Sequence, residues 1–207
     1  RALMISKDGT RELSVELTAS PIIGAGDTVA GAVVIMHDVT EIRGLTRRIS
    51  YQAAHDALTG LINRGEFERR LAETLEGGHG DSVNSVLCYM DLDRFKAVND
   101  TCGHLAGDNM LREVAKLIRD QVRDSDFVAR LGGDEFGMLL IRCPLDKARQ
   151  IADDVCNAIR DYRFVWQDRI FTIGISIGLV EVSRESGTLK DLLSAADSAC
   201  YVAKQQG

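Results

Sequence analysis

Residues 126–141 read DFVARLGGDEFGMLLI, two short apolar runs, Phe127–Leu131 and Phe136–Ile141, separated by Gly132-Gly133-Asp134-Glu135. Strand-forming residues on both sides of a glycine pair predict a β-hairpin, because glycine accepts positive φ at no steric cost. The tip asks for a second explanation. Asp134 and Glu135 are adjacent carboxylates whose charges repel, and a tight turn has no need of both. A divalent cation would compensate them, and Gly132 and Gly133 would let a phosphate approach the backbone closely. A solvated acidic turn is the alternative reading of these four residues taken alone.

Working outward, Val83–Met90 is an apolar run of strand length that ends at Asp91-Leu92-Asp93. Leu111, Val114, Ala115, Ile118 and Val122 fall on one face of a helix, as do Ala148, Ile151, Ala152, Val155 and Ile159. Phe171–Val182 reads as a long strand and Leu189–Lys204 as a closing helix. Earlier, Asn63 and Glu66 have capping-box spacing for a helix with Phe67, Leu71 and Leu75 on one side, stopped at Gly77-Gly78. The order β-α-β-β-α-β with a closing helix predicts an α+β fold, a ferredoxin-like antiparallel sheet with helices. That arrangement makes the first strand a neighbour of the hairpin, so Asp91 joins Asp134 and Glu135 as a third carboxylate. Read alone, Asp91 is equally a strand terminator.

Residues 1–40 form a separate block. Lys7-Asp8-Gly9-Thr10 predicts a turn, and Leu13, Val15 and Leu17 alternate with polar residues as in a half-buried strand. Gly24–Asp27 is a second turn and Val29–Val34 a second strand. Ile42, Leu45 and Ile49, with arginines between them, make an amphipathic linker helix over 41–54. Its stripe fits pairing with a copy of itself or packing on its own domain. The third segment is 55–207.

Composition narrows the function classes. With 45% hydrophobic and 27% charged residues in 207, the chain is an ordinary globular one, long enough for one domain and part of another. No apolar run nears the roughly 20 residues that span a bilayer. Arg1-Ala2-Leu3 lacks a basic-then-apolar leader, so no membrane segment is expected here, an anchor elsewhere being left open. A net charge of −6 argues against nucleic acid, whose phosphates demand a basic face. The five cysteines are odd in number and scattered, which suits a reducing, cytoplasmic setting. The histidines have no paired spacing for zinc.

Gly132–Phe136 spells the signature of the GGDEF family, the diguanylate cyclases, and the chain resembles that family over 55–204. Asp56–Arg64 is similar to its D-x-L-T-G-L-x-N-R opening, with Ile62 where many members carry proline. Phe95–Asp108 matches F-K-x-x-N-D-x-x-G-H-x-x-G-D, and Ala196–Lys204 resembles A-D-x-A-x-Y-x-A-K. The resemblance implies a nucleotidyl-cyclase-like fold that condenses two GTP into cyclic di-GMP as a homodimer. It implies Mg2+ or Mn2+ on the carboxylates of Asp91, Asp134 and Glu135, the catalytic residues, and on the carbonyl of Leu92. It implies guanine recognition by Asn99 and Asp108, phosphate contacts from Lys96 and Lys204, and further substrate contacts at Phe95, Gly132 and Gly133. Arg123 and Asp126 match the family's R-x-x-D product-inhibition motif, where cyclic di-GMP would bind; the second arginine of that site is unassigned. Asp56 and Arg64 would be structural.

Each has a plainer alternative: helix caps for Asn99 and Asp108, a dipole-complementing charge for Lys204, a solvated charge run for Arg123–Asp126. His37-Asp38-Val39-Thr40-Glu41, a strand end running into a helix, resembles the C-terminal end of a PAS sensor domain, of which 1–40 would be the last part. A competing reading is a catalytically silent GGDEF module that binds GTP or cyclic di-GMP. Ser50–Asp56 looks like composite proteins in which an EAL phosphodiesterase domain follows.

Overall fold

The alternation of Leu13, Val15 and Leu17 does produce a strand. The computed structural model describes residues 2–5, 12–25, 27, 29–77, 84–183 and 185–206. The chain separates into two units, 1–53 and 54–207. In the first, β1 (Ala2–Ile5), β2 (Glu12–Ile23) and β3 (Val29–Asp38) form an antiparallel sheet in that order. The turn expected at Lys7–Thr10 lies outside the described residues, as does Gly26 of the second turn. Val15 is buried, whereas Leu17, Val33, Val34, Ile35 and Met36 are exposed. Asp38 ends β3 by accepting the Thr40 N–H at 2.9 Å, and the Thr40 hydroxyl accepts the Ser14 N–H at 2.8 Å. This clasp starts α1 (Thr40–Ala54), which exposes Ile42, Leu45 and Ile49.

The second unit is built around β5 (Ser85–Asp93). Before it come β4 (Ile62–Asn63) and α2 (Arg64–Gly77), whose first turn is capped by Asn63 Oδ1 accepting the Glu66 N–H at 3.0 Å. After it come α3 (Phe95–Cys102), α4 (His104–Asp120), β6 (Phe127–Gly132) and β7 (Glu135–Leu140). Then follow α5 (Leu145–Asp161), β8 (Phe164–Trp166), β9 (Arg169–Phe171), β10 (Gly174–Val182) and α6 (Leu189–Gln206). The main sheet runs β10-β5-β7-β6-β4.

Two cores explain the unbroken apolar run of β5. Val86, Cys88, Met90 and Leu92 enter one core with Met110, Val114, Ile118, Val155 and Ile159 of α4 and α5. Leu87 and Tyr89 enter the other, with Phe67 and Leu71 of α2 and Leu192, Ala196 and Cys200 of α6. Each large side chain so buried stabilises the fold by about 1.5–3 kcal/mol. A strand buried on both faces shows no alternation of polarity.

The structure departs from expectation in three places. The sheet is mixed rather than antiparallel, because β4 pairs parallel to β6, Ile62 opposite Ala129. The strand ending at the acidic residues begins at Ser85 (Val83 lies outside the described residues) and includes Asp91 and Asp93. The strand expected over Phe171–Val182 is broken: Arg169–Phe171 pairs with Phe164–Trp166, and β10 starts at Gly174, opposite Asp93. β5 ends at Asp93, so residues ahead of Gly174 have no edge of the main sheet to join. The five cysteines are free, and among the described residues no helix is long and apolar enough to cross a membrane.

Candidate active site

The hairpin and the end of β5 are locked together by main-chain bonds. Asp91 stands opposite Glu135 in the β5–β7 register, and the Leu92 N–H donates to the Asp134 carbonyl at 3.2 Å. Gly132 at φ 149° and Gly133 at φ 51° take conformations that L side chains avoid, so the glycine pair is required by the bend itself. The β6–β7 register slips between Arg130 and Gly132, a bulge beside the bend.

Two arginines hold this bend from outside it. Arg130 donates to the Gly133 carbonyl through Nε at 3.1 Å and Nη2 at 2.9 Å, and through Nη1 to both Asp56 oxygens at 3.3 Å. Asp56 also accepts the Thr59 N–H and hydroxyl, at 2.9 and 2.7 Å. Burial pushes the Asp56 pKa up, but the Thr59 hydrogen bonds and the Arg130 charge outweigh it and hold the carboxyl below its usual range. Arg64 donates to the Leu131 carbonyl at 2.9 Å and to Glu135 Oε2 at 3.3 Å. Asp56 therefore serves to hold Arg130 and Thr59, whereas Arg64 also touches a predicted catalytic carboxylate.

The remaining charges face α6. Gly178 lets that helix lie directly on β10: a Cβ there would overlap the Ala196 carbonyl and the Cys200 nitrogen. Lys204, one turn further along, donates to Asp91. That hydrogen bond, with the charges of Asp91, Asp93 and Asp134, raises the lysine's pKa. Asp93 accepts the Ser176 hydroxyl at 2.9 Å, and a Cβ on Gly174 would come 2.6 Å from its other oxygen. Burial first, and then a hydrogen bond to Glu135, push the Tyr89 phenol up.

The expected meeting of three carboxylates needs correction. The backbones of Asp91, Asp134 and Glu135 converge, but among the described residues no three metal-ligating side chains surround one point. Asp91 is turned to Lys204 and Glu135 to Arg64, because adjacent anions settle on the nearest cations. The donor set still fits a hard divalent ion: three carboxylates and the Leu92 carbonyl are all oxygen, and the Lys204 ammonium marks where positive charge is stabilised.

The α3–α4 pair carries the other predicted residues. Asn99 lies inside α3 and Asp108 inside α4, so neither is a cap; Gly103 separates the helices. Asn99 Oδ1 is buried without a hydrogen-bond partner among the described residues. Lys96 is exposed, whereas the Phe95 side chain belongs to the core, leaving its backbone for any substrate contact. At the R-x-x-D motif, Asp126 is committed internally. Its side chain is 1% exposed, accepts the Ile141 N–H at 3.1 Å and pairs with Arg123, whose own side chain is 59% exposed.

Arg130, Arg64 and Tyr89 were not singled out for this site from sequence. Arg130 carried the one usable signal, a charge inside an otherwise apolar strand two places before the glycine pair.

A mixed five-stranded sheet with an acidic end on its β5 strand, a glycine bend and a flanking helix pair defines a nucleotidyl-cyclase-like domain. Residues 53–207 match the family described as Diguanylate cyclase, GGDEF domain, and the chain belongs to that family. It is 42% identical over 193 residues to the probable diguanylate cyclase DgcE of Escherichia coli (strain K12), covering 93% of this chain and 18% of that protein. It is 32% identical over 193 residues to the cyclic di-GMP phosphodiesterase PdeB of Shewanella oneidensis, covering 93% of this chain and 22% of that protein. The chain thus spans about a fifth of the length of these curated relatives. Among solved structures, the coiled coil and GGDEF domain of DgcB from Caulobacter crescentus, in complex with c-di-GMP, matches with a TM-score of 0.76 and 26% identity, over 82% of this chain and 90% of that one.

Proposed function

We propose that this chain is the catalytic part of an active diguanylate cyclase that condenses two GTP into cyclic di-GMP and two pyrophosphates. The observation that carries the reading is the alignment of Asp91 with Glu135 at the bend, with Lys204 donating to Asp91. Asn99 and Asp108 read guanine, Asp108 accepting from N1–H and the amino group. Lys204 exchanges Asp91 for the substrate phosphates, and Lys96 adds a second cation. Mg2+ or Mn2+ on Asp91, Asp134, Glu135 and the Leu92 carbonyl would supply charge neutralisation and a lowered hydroxyl pKa. Asp134 or Glu135 accepts the proton of the 3′-hydroxyl as its oxygen attacks the α-phosphorus of the other GTP and pyrophosphate leaves. Each subunit brings one GTP, so two sites face each other in a homodimer.

Arg123 is the ligand-facing member of the inhibitory motif, with Asp126 holding it in place. The first unit is read as the end of a PAS-type sensor, and α1 as the helix that relays its state. Cyclase chemistry of this kind belongs in the cytoplasm. Similarity to PdeB keeps the silent, EAL-linked module as the competing reading, but the three intact carboxylates weigh against it.

Incubating the purified protein with GTP and magnesium and separating the nucleotides tests the proposal. Cyclic di-GMP formed by the wild type and not by Asp134→Ala is the expected result. No product from a protein that binds GTP would hand the case to the silent module.

A further inference from the structure

Asn99 and Gly107 meet where α3 and α4 pack. A Cβ built on Gly107 would overlap Asn99 Oδ1 and stand 2.9 Å from its Cγ and 3.0 Å from Phe95 Cζ. The Phe95 ring is fixed in the core and yields little. The Asn99 carboxamide can yield, by turning about its own side-chain torsions. Gly107 has an ordinary helical backbone, so no unusual φ demands glycine there. Within a helix alanine is intrinsically preferred to glycine. The position therefore gives up helix stability, and what it obtains is room for one oxygen atom. That same oxygen is the buried side-chain acceptor left without a partner among the described residues. A buried acceptor costs free energy until a donor reaches it. Asp108, the other predicted base-reading residue, is next in the chain.

We propose that Gly107 is a positioning residue for base recognition: its missing side chain is the seat of Asn99 Oδ1, an acceptor held for an N–H of guanine. The proposal rests on the GTP reading above. An acceptor at this point selects guanine, which offers N–H groups at N1 and C2, over adenine, which offers a lone pair and a C–H there.

The test compares wild type, Gly107→Ala, Asn99→Ala and the double variant. Melting temperature is measured without nucleotide, and affinities for α,β-methylene GTP and α,β-methylene ATP are measured by calorimetry with magnesium. Gly107→Ala is expected to shift the melting temperature only by a few degrees, the helix preference for alanine offsetting part of the crowding against Phe95 Cζ. It should weaken the GTP analogue by about tenfold or more and narrow its advantage over the ATP analogue. In the Asn99→Ala background the same change should cost less than about twofold, since the two act through one contact. Unchanged affinity in Gly107→Ala, or an equal loss with and without the Asn99 side chain, overturns the proposal. Should Gly107→Ala fail to fold, rescue by Asn99→Ala supports the contact and no rescue refutes it. A wild type that binds neither analogue sinks the GTP reading and this proposal together. Wild-type binding with an indifferent Gly107→Ala sinks only the seat.

Discussion

The two ends of the site treat their polar groups in opposite ways. At the carboxylate end Asp91 has Lys204, Glu135 has Arg64 and Tyr89, and the bend itself has Arg130 and Asp56. At the proposed base-reading end, Asn99 Oδ1 has no partner among the described residues. Burial separates them. The Asp91 and Glu135 side chains are 25% and 35% exposed, so their charges are served by water as well as by the neighbouring cations, whereas a buried amide oxygen without a donor costs about 1–3 kcal/mol.

The ion pairs differ among themselves in the same way. Lys204 is 42% exposed and Arg64 51%, so their pairs with Asp91 and Glu135 are screened and, on the reading proposed above, exchangeable for substrate. Arg130 and Asp56 are 15% and 23% exposed, a sheltered pair that fixes geometry. Screened partners therefore sit on the proposed reacting groups and a sheltered one on the scaffold beneath them.

The largest effect belongs to the reacting end. Asp134→Ala is expected to cut synthesis by about a thousandfold or more, since a lost ion ligand forfeits several kcal/mol of charge stabilisation. Its melting temperature should hold, because the Asp134 carbonyl, which accepts from Leu92, survives the change. Cyclic di-GMP formation at the wild-type rate would remove Asp134 from the mechanism.

Next is the scaffold pair. Arg130→Ala frees the Gly133 carbonyl and leaves Asp56 without its cation, which should lower stability by about 1–3 kcal/mol. Turnover should fall about 10- to 100-fold, in line with the loss expected when catalytic groups are misplaced. Arg130→Lys should not rescue, because one ammonium cannot reproduce a fork that spans the carbonyl and the carboxylate. Turnover that survives in Arg130→Ala at wild-type level would make the pair purely structural.

What could be read from the chain follows the same division. The hairpin, the helix faces and the run ending at Asp91 were legible because strand and helix periodicities are local. The glycine pair announced the bend because few other residues accept its φ values. Arg64 and Arg130 were not legible as site residues: Arg64 reaches Glu135 across 71 positions and Arg130 reaches Asp56 across 74. Pairing of that kind is decided by topology. The parallel β4 was missed for the same reason, since two residues carry no period. The break before Gly174 depended on where β5 ends, a fact about another strand.

A smaller effect separates Arg123 from Asp126. Arg123→Ala should raise the cyclic di-GMP concentration needed for inhibition by about tenfold, the loss of one charge-assisted contact. Asp126→Ala should instead lower the melting temperature, because the part-buried Ile141 N–H loses its acceptor. An unaltered inhibition curve for Arg123→Ala would remove it from the regulatory site.

The smallest effect is the pH dependence of the scaffold. Asp56 titrates below its ordinary value in the folded chain, so folding is favoured by its ionisation. That contribution is complete above the unfolded carboxylate pKa of about 3.9 and disappears as pH falls through the lower folded value. The stability gap between wild type and Asp56→Asn should thus be flat from neutral pH down to about 5 and shrink below 4. Arg130 supplies part of the depression while burial opposes it, so the balance is fragile. With Arg130→Ala, the Asp56 resonance should titrate at higher pH in an NMR experiment, burial then acting against fewer opponents. A titration curve that does not move would mean that Thr59 alone sets the Asp56 charge, and Arg130 would then hold the bend through the Gly133 carbonyl by itself.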